Sequence, residues 1–318
     1  MLILNAEEVR AVLPMREAID AVRVGFVALS TGKATVPVRG VMAVEGNTTL
    51  TMPAYIHGSA VSVVKIVSVY PGNAAHDLPT VLGHVLVLDS KTGETLALID
   101  GASLTAIRTG AASGLATDLL AASDAHRLAV IGAGKQARTQ VEAVCSVRPI
   151  DQIRVYSLHS NHTAAFVDEL RQQFSASVQV AADLREALAD ADVIVAATNS
   201  AVPVVELKHI KPGVHINGIG SFRPDMREID GEIVRQAKLV VDHRDSVWAE
   251  AGDLIIPRDQ GLISEASVHA ELGEIAAGLR PGREHANEIT FFKSVGNAVQ
   301  DAAVADRVVA AHLRSSGR

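Results

Sequence analysis

From residue 127 onward, short apolar runs alternate with stretches that have the spacing of amphipathic helices. The run Val193–Ala197 is uninterrupted and apolar, which is typical of a strand buried on both faces. Strands are predicted at Leu128–Ile131, Ile153–Ser157, Val178–Ala181, Val193–Ala197, Val214–Ile219, Leu239–Asp242 and Ile289–Lys293, with helices such as Thr163–Gln173 and Leu184–Ala189 between most of them. Alternation of this kind predicts a parallel sheet covered by helices on both faces.

A glycine turn follows the first of these strands. The strand leads into Gly132-Ala133-Gly134, and the stretch Gln136–Val147 has a helical pattern. This is the dinucleotide-binding fingerprint: Gly132 permits the tight turn, Gly134 lets the backbone approach a pyrophosphate, and Ala137 lets the helix pack close to the strand. The helix N-terminus also offers its positive dipole to phosphates.

Ligands of such sheets bind at the carboxyl ends of the strands. Thr198 and Asn199 follow the buried strand Val193–Ala197 at such an end. The cofactor contacts predicted from these two regions are Gly132, Gly134, Lys135, Gln136, Ala137, Thr198 and Asn199.

The first part of the chain lacks this alternation. Helices are predicted at Ala6–Leu13 and Arg16–Ser30, strands at Thr48–Met52, Ala60–Val69 and His84–Asp89, and a hairpin between Val85–Asp89 and Thr95–Ile99. Helical patterns follow at Leu104–Leu120 and Ala298–Arg314, and we expect the last helix to return to the first domain. The predicted fold class is α/β: a discontinuous α+β domain (residues 1–120 and 297–318) and a Rossmann-type domain (residues 121–296).

Composition narrows the class of protein. The chain has 318 residues, of which 48% are hydrophobic, so it can form two domains with large cores. Its net charge of −7 argues against a nucleic-acid surface. The single cysteine suits a reducing cytosol, no signal peptide is evident, and no apolar run reaches the roughly 18 residues that a membrane helix needs. We therefore expect a cytoplasmic protein with neither a nucleic-acid nor a membrane partner.

Three cationic residues of the first domain have unusual surroundings. Arg39, Lys65 and Arg108 each lie among apolar or small residues. Lysine and arginine are rarely buried unless paired, and an internal salt bridge or a snorkelling side chain explains any one of them alone. The three together, without an equally evident set of acidic partners, indicate an anionic ligand, most simply a carboxylate. Beside a dinucleotide domain, such a site predicts hydride transfer at the cleft between the domains.

Further segments accompany these residues in order along the chain. They are Val64–Asn73, Leu78–Thr80, Asp100-Gly101, Thr105–Ser113, the glycine turn, and Phe292–Gly296 with Asp301. In this combination the chain resembles the ornithine cyclodeaminase/mu-crystallin family, from the first helix to the last.

The resemblance implies a homodimer, built through the non-nucleotide domain, that uses a nicotinamide cofactor. It implies that Arg39 and Arg108 bind the carboxylate of the substrate. It also implies that Lys65 is the polar group nearest the reacting carbon–nitrogen bond and that Thr80 lies on the substrate side. Lys65 and Arg108 are therefore the predicted catalytic residues.

One departure bears on the subclass. Cyclodeaminases carry an aspartate in a Gly-x-Asp-x-Pro-Gly-Lys segment, whereas the stretch Gly220–Glu228 here has Phe222 at that position and Asp225 three residues later. Phenylalanine cannot act as a base. The sequence of this segment is instead similar to the mu-crystallin branch, which includes reductases of cyclic ketimines such as Δ1-pyrroline-2-carboxylate and Δ1-piperideine-2-carboxylate. The expected products are L-proline and L-pipecolate, and Phe222 would also pack beside the cofactor.

The protonation chemistry stays open at this point. Hydride transfer to C2 of a protonated imine needs mainly orientation and the correct protonation state. Lys65 could protonate or hydrogen-bond the imine nitrogen, directly or through water. A neutral Lys65 or a carboxylate-binding Lys65 is equally open.

The choice between NADH and NADPH rests on the end of the second Rossmann strand. NAD sites usually place an acidic residue there, but residues 156–162 contain no carboxylate. The hydroxyl and imidazole groups of Ser157, His159 and Ser160 suit a 2′-phosphate, so we expect NADPH to be accepted and preferred, with NADH also usable. The spacing of His159 and His162 could suggest a metal, but no further ligands are evident and no metal is predicted.

Three alternatives remain. The first is an alanine-type dehydrogenase, which would need ammonia and an open-chain 2-oxo acid. The second is an ornithine cyclodeaminase. The third is an NADPH-binding, crystallin-like protein without turnover, although binding of NADPH alone requires none of the three cations.

Overall fold

The structure is a computed structural model and describes residues 1–315. The chain divides into two compact units, one formed by residues 1–112 with the chain from Asn297 onward, the other by Ser113–Gly296. The first domain predicted from the sequence also includes Ser316–Arg318, which lie outside the described residues.

The elements follow in chain order. The strands are β1 (Leu2–Leu4), β2 (Ala34–Thr35), β3 (Gly40–Val44), β4 (Asn47–Ile56), β5 (Val61–Val69), β6 (Val81–Asp89), β7 (Thr95–Asp100), β8 (Arg127–Ile131), β9 (Gln152–Tyr156), β10 (Ser177–Val180), β11 (Val193–Ala196), β12 (His215–Gly218), β13 (Lys238–Val241), β14 (Val268–Glu271) and β15 (Thr290–Lys293). The α-helices are α1 (Ala6–Val12), α2 (Met15–Ser30), α3 (Gly101–Leu120), α4 (Lys135–Val147), α5 (Ser160–Gln173), α6 (Leu184–Leu188), α7 (Gly231–Gln236), α8 (Arg244–Glu250), α9 (Gly252–Asp259), α10 (Leu272–Ala276) and α11 (Ala298–Ser315).

The first unit is built on a mixed sheet. Its strand order is β1-β7-β6-β5-β4-β2, and β3 pairs with β4. Only β1 and β7 run parallel, so the sheet is antiparallel elsewhere and contains the predicted β6–β7 hairpin. The helix α11 packs on α2 and lies against β4 and β5.

The sheet of the first unit contains more strand residues than the sequence predicts. The pattern predicts a strand at Thr48–Met52, whereas β4 reaches Ile56, and β1, β2 and β3 are not predicted at all. Most residues of β3 are exposed, so the strand lacks the alternation between buried and exposed positions on which the prediction depends.

The second unit contains a sheet in which every pairing is parallel. Its strand order is β10-β9-β8-β11-β12-β15-β13-β14. Alternate residues of β8 enter different cores: Ala129 and Ile131 pack in one cluster, Leu128 and Val130 in the other. Both faces of the sheet are therefore buried, and the predicted Rossmann-type fold is confirmed. The edge strand β14 is an addition to the prediction.

Among residues 1–315, no helix combines the length and the apolar character that crossing a membrane requires.

Candidate active site

Lys65 lies at the centre of β5, in the first unit. The antiparallel ladder places it between Met52 of β4 and Val85 of β6, and all three residues are buried. Only 4% of Lys65 is exposed. The lysine therefore points to the core side of the sheet, the side on which such a charge needs a partner.

The partner of Lys65 comes from α11. Asp301, which is fully buried, accepts from Nζ of Lys65 at 3.3 Å and 3.4 Å through its two carboxylate oxygens. The same carboxylate lies 3.5 Å from Nε of Arg108 on α3. Nη1 of Arg108 donates to Oε1 of Gln300 at 2.5 Å. Three elements thus bring two cations, one anion and one neutral amide together.

The surroundings of Lys65 change its acidity. Burial lowers the pKa of Lys65 to about 8, because desolvation penalises the ammonium. The charge of Asp301 opposes that shift, and the charges of Arg108 and Arg39 add to it. The side chain can therefore lose or regain a proton near neutral pH.

The expectation that the three cations have no evident acidic partner is wrong for Lys65 and Arg108, because Asp301 pairs with both. Asp301 is part of the resemblance but has no role assigned there. The sequence does contain an indication that Asp301 is buried and paired. Asp301 lies among alanine and valine residues of a helix, and a carboxylate in apolar surroundings is as unusual as the lysine at position 65 of an aliphatic strand. Gln300 was missed for the simpler reason that glutamine carries no charge.

The remaining residues predicted on the substrate side differ in placement. Arg39 is half-buried before β3, close enough for its charge to act on Lys65. Thr80 is exposed before β6, and its carbonyl accepts from the N–H of Tyr70 at 2.8 Å. Within the described chain, no hydrogen bond joins the side chain of Thr80 to Lys65 or Arg108.

The glycine turn of the second unit has the form that the fingerprint requires. Gly132 has a φ of +106°, and a Cβ there would lie 2.5 Å from the carbonyl oxygen of Ala197. Gly134 is the N-cap residue of α4, no side chain caps this helix end, and a Cβ at Gly134 would meet nothing within 4 Å. Ala137 is fully buried. The open N-terminus of α4 fits a pyrophosphate.

Lys135 and Gln136 form the start of α4. Lys135 is exposed, whereas Gln136 is half-buried. The Oε1 atom of Gln136 is buried and has no hydrogen-bond partner among residues 1–315.

The end of β9 lies beside this turn. The N–H of Gly132 donates to the carbonyl of Tyr156 at 2.8 Å, so the residues that follow β9 start next to the fingerprint. Ser157 is half-buried, while His159 and Ser160 are exposed at the start of α5. The geometry leaves these side chains accessible to a ligand at the turn.

The segments after β11 and β12 carry the other predicted cofactor contacts. Thr198 is half-buried, Asn199 is exposed, and 53% of Phe222 is exposed. Asp225 is exposed and accepts from Nε and Nη2 of Arg223 at 3.0 Å and 3.1 Å.

Comparisons with known proteins cover nearly the whole chain. The model of the ornithine cyclodeaminase/mu-crystallin family matches residues 1–316. A Δ1-pyrroline-2-carboxylate reductase of Bacillus cereus is 40% identical over 308 residues, which are 96% of this chain and 94% of that protein.

Solved structures agree with the family match. Thermococcus litoralis Δ1-pyrroline-2-carboxylate reductase, in complex with NADH and L-proline, has a TM-score of 0.94 and 43% identity, covering 99% of this chain and 98% of that one. An archaeal alanine dehydrogenase dimer with bound NAD has a TM-score of 0.93 and 36% identity, covering 99% and 97%.

Proposed function

The chain belongs to the ornithine cyclodeaminase/mu-crystallin family, and from that premise we propose that it reduces a cyclic ketimine carboxylate with NADH or NADPH. The substrates are Δ1-pyrroline-2-carboxylate, Δ1-piperideine-2-carboxylate or both, and the products are L-proline and L-pipecolate. The observation that carries this proposal is the cluster of Lys65, Arg108 and Asp301.

The charge of the cluster matches an anionic substrate. Lys65 and Arg108 share the single carboxylate of Asp301, so the ionised cluster keeps one positive charge in excess. Arg39 adds a further cation nearby. A substrate carboxylate balances that charge, and the planar guanidinium groups of Arg108 and Arg39 suit it.

Lys65 holds the proton that the reaction consumes. Reduction of a C=N bond adds a hydride to carbon and a proton to nitrogen, and the nicotinamide supplies the hydride when it is bound. With a pKa near 8, Nζ of Lys65 is protonated at neutral pH and is acidic enough to release that proton to the ring nitrogen. After Lys65 has lost its proton, Asp301 balances part of the charge of Arg108 and Arg39.

The second unit binds the dinucleotide in this proposal. The N-terminus of α4 receives the pyrophosphate, with Gly132, Gly134 and Ala137 shaping the approach. Lys135 and Gln136 flank that position, and Ser157, His159 and Ser160 face the ribose carrying the 2′ group. Thr198, Asn199 and Phe222 line the remainder. NADPH preference rests on the absence of a carboxylate after β9.

Phe222 separates this function from cyclodeamination. It stands where the cyclodeaminases carry the aspartate thought to assist attack by the ornithine amine, and the nearby Asp225 pairs with Arg223. The similarity to an alanine dehydrogenase keeps reductive amination of a 2-oxo acid as a second candidate. A storage protein is disfavoured, because dinucleotide binding alone needs no buried Lys65.

A homodimer built through the first unit is also proposed. By strand register, Ile66, Leu82 and Met42 lie on the sheet face opposite Lys65, and each is at least 42% exposed. On the side of Lys65, by contrast, α11 packs against β4 and β5 and supplies Asp301. An exposed apolar sheet face of this kind favours burial against a second copy.

One assay tests the proposal. Oxidation of NADPH and NADH is followed with Δ1-pyrroline-2-carboxylate and with pyruvate plus ammonia. With L-ornithine plus NAD, the release of ammonia is measured, because conversion of ornithine to proline and ammonia leaves NAD unchanged overall. Fast oxidation with the cyclic imine alone is expected. Turnover that requires ammonia would favour an alanine-type dehydrogenase, and release of ammonia from ornithine would favour a cyclodeaminase.

A further inference from the structure

Glu228 connects two segments at the carboxyl edge of the parallel sheet. Its Oε1 accepts from the backbone N–H of Thr198 at 2.6 Å and from the Thr198 hydroxyl at 2.8 Å. Its Oε2 accepts from the N–H groups of Gly220 at 2.6 Å and Ser221 at 3.2 Å. One fully buried carboxylate therefore ties the segment after β11 to the segment after β12.

The two segments are in direct contact at this point. A Cβ on Gly220 would overlap the carbonyl oxygen of Thr198, so only glycine permits the approach. The spacing of the segments is thus set by Gly220 on one side and by the length of the Glu228 side chain on the other.

A buried ion pair, Asp253 with Lys293, holds the backbone at Glu228. Oδ1 of Asp253 accepts from the N–H of Glu228 at 2.6 Å and from that of Ile229 at 2.9 Å. Nζ of Lys293 donates to Oδ2 of Asp253 at 3.0 Å and to the carbonyl of Gly218 at 3.2 Å. All three charged side chains are fully buried. The network spans β12, β15 and α9 beneath the two segments.

Stability alone does not account for this arrangement. Burial and the adjacent charge of Asp253 raise the pKa of Glu228 to about 7, so the ionised carboxylate is costly in this place. Buried ionic groups are often no more stabilising than apolar residues of similar volume. What Glu228 provides instead is a fixed distance between two backbone segments.

Those segments border the dinucleotide site. The strand order reverses at β8, with β9 and β10 on one side and β11 and β12 on the other, and ligands of such sheets bind outside the carboxyl ends at that point. Cγ2 of Thr198 lies 3.3 Å from where a Cβ of Gly132 would be, so the segment after β11 adjoins the glycine turn. The adenosine half lies toward β9, which leaves β11 and β12 to the nicotinamide half.

We propose that Glu228 is a positioning residue that fixes the spacing of the segments after β11 and β12 and thereby holds the nicotinamide half of the dinucleotide. The inference rests on the proposed use of NADH or NADPH. It assigns no contact between Glu228 and the cofactor, because the carboxylate acts through Thr198, Gly220 and Ser221.

The test is the affinity of E228Q for NADH, measured by fluorescence titration without any imine. A glutamine amide keeps one acceptor oxygen, and its NH₂ group faces N–H donors, so one of the two segments is released. We expect the dissociation constant to rise about tenfold or more. In turnover, the KM for NADH should rise while the KM for the imine stays within about twofold.

Asp192 provides a matched control at the opposite edge of the same sheet. Its Oδ2 accepts from the N–H groups of His126 and Arg127 at 2.9 Å, which ties β11 to β8 at their amino ends. D192N should lower the melting temperature without changing the affinity for NADH. A merely structural role of Glu228 would give the same pattern in E228Q.

The outcomes are distinguishable. Affinity for NADH in E228Q equal to that of the wild type overturns the inference, whereas a wild type that binds no dinucleotide removes the proposed function itself. If E228Q does not fold, E228D serves instead, since it keeps the charge beside Asp253 and Lys293 but is too short to reach both segments. The same rise in the dissociation constant is expected for E228D, and wild-type affinity in that variant would overturn the inference.

Discussion

Lys65 and Asp301 lie 3.3 Å apart in the core of the first unit, although 236 residues separate them along the chain. The strand β5 supplies the lysine and the helix α11 supplies the aspartate. Because Arg108 draws on the same carboxylate, neither cation is fully neutralised. The cluster is therefore suited to hold an anion and to exchange a proton at one atom, Nζ of Lys65.

The first prediction concerns the dependence of the rate on pH. If Lys65 delivers the proton, kcat/KM for the imine should fall as pH rises through about 8, where Nζ loses its proton. K65M should lower the rate by roughly 100-fold or more and should lose this alkaline limb. A K65M profile that keeps the same limb would exclude Lys65 as the proton donor.

The second prediction concerns Asp301. Its negative charge raises the pKa of Lys65 against the effect of burial, so removal of that charge lowers the pKa further. In D301N the alkaline limb of kcat/KM should therefore move to lower pH. D89N is the control, since Asp89 is half-buried at the end of β6 in the same unit and accepts from the backbone N–H groups of Lys91 and Thr92. An unmoved limb in D301N would contradict the assignment of that limb to Lys65.

The third prediction separates activity from stability. The folded-state pKa of Lys65 is lowered, so the buried ammonium opposes folding, and this cost diminishes as pH rises through about 8. Replacement by methionine keeps the volume, removes the charge and leaves Asp301 paired with Arg108. K65M should thus melt at the same temperature as the wild type or higher at pH 7 while it loses activity. A large drop in melting temperature would show that the Lys65–Asp301 pair is chiefly structural.

The Rossmann-type fold of the second unit could be predicted from local sequence patterns. The glycine turn and the buried strands beside it depend on backbone conformation and burial, which neighbouring residues determine. Lys65 could also be identified as a candidate site residue, because its neighbours in the strand are aliphatic. The ion pair with Asp301 could not be predicted in the same way, since it depends on how α11 returns to β5. Glu228 was missed for a similar reason: its acceptor role depends on two segments that meet only in the folded sheet.

The fourth prediction addresses the homodimer. I66E and L82E would each place a charge on the apolar sheet face opposite Lys65 and should convert the proposed dimer to a monomer, as measured by light scattering. V24E is the control, because Val24 is 53% exposed on α2, which packs on α11, the helix that supplies Asp301 to the Lys65 side of the sheet. A monomeric wild type, or dimers in both sheet variants, would place any interface elsewhere.

The fifth prediction concerns the discrimination between NADPH and NADH. His159 is exposed at the start of α5, after the strand end that bonds to the glycine turn, and no carboxylate lies between residues 156 and 162. H159A should weaken the binding of NADPH roughly tenfold, since one hydrogen bond to a charged group contributes about 1.5 kcal/mol, and should leave NADH binding unchanged. L158A is the control, because Leu158 is 86% exposed beside it and has no side-chain donor. Equal losses for both cofactors in H159A would mean that His159 contacts a part of the dinucleotide common to both, and the preference for NADPH would then depend on Ser157 and Ser160.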